Sequence, residues 1–196
     1  MLLQGRVANA GGGRGTAVCD VEAPPESVWK AILGFDRYAG RLAQCSKSRV
    51  YEQSKSRMAR SETYKVHMKL AGGVKTFNCY YDHTYEPHKN QVTWTLDPDH
   101  TSDFLDVQGQ WCVFKHPTKK DWSRVWYSAD VVLPPWLPRA VVVVLCKTSG
   151  TKALTFCKKE AELNAKKAKG GVKNPFAKFR GGFKRPAPLA PLGLKR

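Results

Sequence analysis

The sequence predicts an α+β fold: a curved, seven-stranded antiparallel sheet wrapped around one long C-terminal helix, in the order β-α-α-β6-α. Three observations predict it. Residues 91–134 read as three consecutive strands of alternating apolar and polar residues, and with Trp136 just beyond they hold five of the chain's six tryptophans, Trp94, Trp111, Trp122 and Trp126 being the others. Period-two alternation marks an antiparallel sheet with one covered and one wetter face. Two short helical signals precede a long strand-like region, and three prolines separate that region from a final helix-forming stretch.

The elements follow in order. Residues 16–22 alternate Ala17, Cys19 and Val21 against polar neighbours, a short first strand. A helix opens at Pro24-Pro25, since proline is tolerated in a first turn and Glu26 suits the positive helix end. Val28, Trp29, Ile32 and Leu33 share its apolar face, and Gly34 stops it. Asp36 is placed to cap a second short helix through Leu42, with Phe35 and Tyr38 turned inward.

Six strands come next. Residues 48–53 form one, and Tyr64, Val66, Met68 and Leu70 mark another that ends in a Gly72-Gly73 hairpin turn. Phe77, Cys79, Tyr81, His83 and Tyr85 alternate up to Pro87, and His88-Lys89-Asn90 turns the chain. Residues 92–96, 105–113 and 125–133 complete the set, the middle one bending at Gly109. Pro134, Pro135 and Pro138 end strand character. The last helix then runs through Val141, Val144, Leu145, Leu154, Phe156 and Cys157 towards Lys169, weakened near Gly150.

At 196 residues the chain is one domain, 15–169, between a flexible lead-in (1–14) and a disordered basic tail (170–196). The net charge of +17 is uneven: residues 158–196 carry twelve Lys or Arg against two Glu. More than half of the excess therefore says little about the fold. Six cysteines form no CxxC pair, so neither structural zinc nor a disulfide framework is expected, and no metal or cofactor is assigned. No apolar run approaches the ~20 residues of a membrane span. An intracellular, soluble or peripheral monomer is expected, with cytoplasm, plastid and mitochondrion left open.

The quoted pattern resembles a known family. Val21-Glu22-Ala23-Pro24-Pro25 with Val28-Trp29, then Phe35-Asp36-Arg37-Tyr38, open its two helices. Trp94-Thr95-Leu96-Asp97, Ser102-Asp103, Val107-Gln108-Gly109-Gln110-Trp111 and Ser123-Arg124-Val125-Trp126-Tyr127-Ser128 follow in the family's order. Across residues 15–165 the chain resembles the START-like (SRPBCC) superfamily of polyketide cyclase/dehydrase and lipid-transfer proteins. The resemblance implies the helix-grip fold and a cavity for a lipid, a polyprenyl quinone or another hydrophobic metabolite. Some members are cyclases or dehydratases acting on polyketide-like or aromatic substrates. No shared catalytic motif transfers, and one fold hosts many functions.

Phasing the strands by their apolar residues lines the cavity with Tyr64, Val66, Met68, Phe77, Tyr81, Tyr85, Trp94, Val107, Trp111, Tyr127 and Val131, and the final helix adds Val141, Val144 and Leu145. A filled aromatic core is the competing expectation. His83 shares a face with Tyr81 and Tyr85. It is placed to orient a ligand carbonyl or act as a base, or else to sit hydrogen-bonded in the core. Asp97, Asp99, Asp103 and Asp106 lack the glycine of a calcium loop and read as a solvated turn. In the tail, Phe176, Lys178, Phe179, Arg180, Phe183, Lys184 and Arg185 interleave rings with positive charge. That pattern suits an anionic membrane surface or RNA, and a solvated tail without a partner is the plain alternative.

Overall fold

Strand pairing organises the computed structural model, which describes residues 2–7, 12–72 and 75–170. The strands are β1 (Leu2–Val7), β2 (Gly12–Val21), β3 (Cys45–Ser56), β4 (Ser61–Ala71), β5 (Thr76–Glu86), β6 (Gln91–Leu96), β7 (Asp106–Lys115) and β8 (Ser123–Val132). They form one antiparallel sheet in the order β1-β2-β8-β7-β6-β5-β4-β3. The chain therefore crosses the sheet once, between β2 and β3. That crossing carries α1 (Pro25–Ile32) and a single 3-10 turn, Phe35–Arg37. The long helix α2 (Arg139–Gly170) returns across the concave face and packs on β2, β8 and α1.

The α+β helix-over-sheet architecture is the expected one, with two differences. The sheet has an eighth strand: Leu2–Val7, read from sequence as a flexible lead-in, pairs with β2 from Leu2↔Val18 to Val7↔Gly13. Its glycine-rich surroundings carry no alternation, so pairing with β2 had no local signature. The second predicted helix shrinks to one 3-10 turn followed by bonds from Arg41 and Leu42 N–H to the Tyr38 carbonyl. The tail residues from Phe176 to Arg185 lie outside the described residues, as does Gly73 of the expected β4–β5 turn.

The inward face holds the core. Val21, Val66, Val92, Val113 and Val125 are essentially inaccessible, and full burial of each such side chain favours folding by roughly 1.5 kcal/mol. α1 buries Val28, Trp29, Ala31 and Ile32, as its spacing requires. Gly150 explains itself here: a Cβ at that position would lie 3.1 Å from the Ala17 Cβ. Its absence lets α2 approach β2 closely. The helix is long and apolar enough by composition to cross a bilayer. In this fold its apolar side chains Leu154, Phe156, Cys157 and Ala161 instead belong to the core.

Candidate functional site

Between α2 and the concave face lies a cavity of about 200 Å³. α1 and the 3-10 turn cover one end of the sheet, so the cavity occupies the other. Its walls are mostly apolar, including Met68, Phe77, Trp94, Val107, Trp111 and Val131 from the strands and Leu145 and Phe156 from α2. Only Ala43, Gln44 and Ala71 of the lining are exposed, and they mark the mouth. From Phe77 near the mouth, β5 runs six residues inward to His83, a path of about 20 Å at 3.3 Å per residue. An engineered apolar void of roughly 150 Å³ takes up benzene, so a space of this size suits a small aromatic or part of an aliphatic chain.

The inner end is aromatic and sparsely polar. His83, 5% exposed, contacts the rings of Phe35 (4.4 Å), Tyr81 (5.8 Å) and Trp94 (5.9 Å). Burial pulls its pKa down to about 3, only partly opposed by the Tyr64 backbone. The imidazole is therefore neutral at pH 7, and its buried Nδ1 has no hydrogen-bond partner among the described residues. Burial likewise pushes the Tyr81 and Tyr127 hydroxyls well above the usual phenol range. Tyr127 packs between Trp94 and Trp111, with centroids at 5.7 and 4.6 Å. Neutral hydrogen-bonding groups and rings, rather than charges, define the depth of the cavity.

The mouth is different. Gln44 adopts a left-handed backbone conformation (φ 71°), uncommon for a residue with a side chain. Its carbonyl accepts from the Ala71 N–H at 2.7 Å, and its side-chain Oε1 accepts from Lys152 Nζ of α2, also at 2.7 Å. This last bond spans the opening.

The residues expected from sequence divide by depth rather than by face. Met68, Phe77, Tyr81, Trp94, Val107, Trp111, Tyr127, Val131, Leu145 and His83 line the cavity. Tyr64, Val66 and Tyr85 point to the same side but lie elsewhere. Tyr64 packs on Phe35 (5.4 Å) and its hydroxyl donates to Glu62 Oε2 at 2.6 Å. Tyr85 packs on Trp29 (4.9 Å), and Val66 is fully buried in the core. The crossing segment with α1 fills that end of the groove. On α2, Val141 packs at the edge of the core and Val144 is 55% exposed, so neither reaches the cavity.

Sequence reading missed Tyr38, Leu42, Gln44, Phe104, Ser149, Lys152, Ala153 and Phe156, all of which line the cavity. A signal existed for α2: from Leu145, the positions Ser149, Lys152 and Phe156 recur at helical spacing. The run of valines at 141–144 drew attention to the preceding turn instead. The acidic segment also differs from a solvated turn. Asp97 is 1% exposed and receives the Tyr51 hydroxyl, His100 Nδ1 at 2.8 Å, the Asp99 N–H at 3.1 Å and Lys65 Nζ at 3.3 Å. A bulge in β3 leaves Tyr51 without a strand partner and free to reach it.

No family model matches the chain, and neither does any curated protein. Solved structures do. The ZhuI aromatase/cyclase from Streptomyces sp. R1128 superposes with a TM-score of 0.65 at 14% identity, over 82% of this chain and 98% of its own. A STAR-related lipid transfer protein from Xanthomonas axonopodis gives 0.63 at 12% identity, over 82% and 98%. A START superfamily protein from Mycobacterium smegmatis gives 0.61 at 14% identity, over 76% and 97%. The fold is the START-like helix grip. At such identities the likeness fixes architecture and carries no ligand or reaction with it.

Proposed function

We propose that this START-like protein binds a hydrophobic small molecule in the cavity beneath α2 and carries or presents it without converting it. The observation that supports this reading is the cavity itself: about 200 Å³, walled by Trp94, Trp111, Phe77 and Met68, with inner polar groups held neutral. Such a surface offers apolar burial and one or two orienting hydrogen bonds, the usual composition of a small-molecule pocket. Lipids, polyprenyl quinones and related isoprenoid metabolites fit that chemistry.

The rival reading is an enzyme acting on an aromatic or polyketide-like substrate. Acid–base catalysis works best with a group titrating near the working pH. A histidine held near 3 is a weak base, and tyrosines raised above 10 are weak acids. His83 is better suited to orienting a bound hydroxyl, whose proton Nδ1 accepts. Native mass spectrometry of the gently purified protein, then of protein exposed to lipid and quinone extracts, tests the carrier reading. A bound adduct of unchanged mass is expected. Protein that stays empty in every extract would overturn it, and a bound species released with altered mass would favour the enzyme.

The basic, phenylalanine-containing tail is proposed to hold the carrier at an anionic membrane surface, where charge attracts and rings insert. Full-length protein is expected to sediment with phosphatidylserine vesicles and a chain ending before Lys173 to remain in the supernatant. Retention of RNA in place of vesicles would assign the tail to nucleic acid.

A further inference from the structure

Lys152 is the single charged side chain among the described residues that line the cavity. Its partner differs from those of the other described lysines that bond to a side chain. Arg41, Lys65, Lys75 and Lys158 each meet a carboxylate in an ion pair. Lys152 instead rests its ammonium on a neutral carboxamide, Gln44 Oε1 at 2.7 Å. Ser149, one turn earlier on the same face of α2, also lines the cavity. Its hydroxyl is bound only to the Cys146 carbonyl of its own helix, at a long 3.3 Å.

Lys152 and Gln44 meet where the cavity opens to solvent. Lys152 supplies donors from α2, and the Gln44 amide nitrogen supplies another from the facing loop. Gln44 is held there in a left-handed conformation, pinned by Ala71 on one side and Lys152 on the other. Backbone strain of this kind collects at ligand clamps. Behind the cluster the walls are apolar as far as His83. The layout is that of an amphiphile site with a cationic rim and a dry interior.

Resting on the carrier reading, we infer that the ligand ends in an oxyanion, a carboxylate or phosphate, bound by Lys152 at the mouth while its apolar body lies against Trp94 and Trp111. The anion takes the place of the Gln44 carboxamide oxygen on Lys152. A charge-assisted bond then replaces a charged–neutral one, and the Gln44 side chain turns its amide nitrogen to the same anion. The position of Lys152 thus makes it a specificity-determining residue: it selects the ligand's end group, and the apolar walls select its body.

Isothermal titration of the full chain with decanoic acid, decyl phosphate and decanol tests this at pH 8. Decanoate or decyl phosphate is expected to bind about tenfold more tightly than decanol, with the preferred anion identifying the end group. Lys152→Met should abolish that preference, read as the ratio of anion to decanol affinity within the variant. Lys152→Arg should retain it. Equal binding of acid, phosphate and alcohol by the wild type, or a preference that survives Lys152→Met, would overturn the inference and leave the carrier reading standing. Binding of none of the three would count against a hydrophobic-ligand cavity altogether.

Discussion

Trp94 and Gly109 are direct cross-strand partners on β6 and β7, and the indole of Trp94 fills the space above Gly109. A Cβ at Gly109 would fall 2.1 Å from Trp94 Cζ2 and 2.8 Å from the Ser128 carbonyl oxygen. The glycine is therefore a seat for the ring, in the way aromatic residues cover glycines in curved sheets. Gly109→Ala should move the indole or the strand. The expected cost is about 1–3 kcal/mol in urea denaturation, with a change in intrinsic tryptophan fluorescence. An alanine variant with unchanged midpoint and spectrum would mean that the ring sits elsewhere.

His83 makes stability depend on pH. Its folded pKa, about 3, lies below the ordinary 6.5, so between those values the unfolded chain binds the proton and the folded chain does not. The contribution is present in full above about pH 6.5 and is lost as pH falls towards 3, with a slope of at most about 1.4 kcal/mol per pH unit. His67, also lowered chiefly by burial, adds in the same direction. The contrast with His83→Phe isolates the first effect. Stability measured from pH 7 to pH 4.5 should fall less steeply in the variant than in the wild type. Parallel curves would place His83 in contact with water.

Asp97 works with the opposite kind of group to the same sign. Burial acts to raise its pKa, but the Tyr51 hydroxyl, the Asp99 N–H, His100 and Lys65 together hold it well below the usual carboxylate range. Its stabilisation is present above about pH 3.8 and disappears as the pH falls further. Asp97→Ala should cost about 3 kcal/mol at pH 7, since Lys65 and Tyr51 lose a buried partner. At pH 3 the difference between variant and wild type should shrink. A constant difference across the range would show that the loss is one of packing alone.

The succession of the last seven strands along the chain and their inward phase were legible in the sequence because one buried face imposes period two, and a register slip would turn such inward residues as Tyr81 and His83 outward together. Depth was not legible. Tyr64 and Tyr85 carry the same alternation as Tyr81, yet they meet Phe35 and Trp29 in place of the cavity. Only the path of the crossing segment decides that, and it is a long-range fact. The polar rim was hidden for another reason. Gln44 sits in an irregular loop with no periodicity, and a lysine such as Lys152 on a helix reads as solvated until its face is known. The run Val141–Leu145 misled because hydrophobicity without phase cannot separate a lining residue from an exposed one.

Adjacent residues on α2 allow that phase to be tested directly. Leu145 lines the cavity and Val144, about 100° round the helix, is 55% exposed. Leu145→Trp adds an indole to a space of about 200 Å³, so it should displace a bound alkyl chain. Decanol affinity is expected to fall at least tenfold, with a stability change of either sign, depending on whether the ring fills the void or overpacks it. Val144→Trp puts the same bulk into solvent. It should leave decanol binding unchanged and alter stability by no more than about 0.5 kcal/mol. If both variants bind decanol as the wild type does, the alkyl chain lies outside the cavity. If Val144→Trp alone blocks it, α2 presents the opposite face to the sheet.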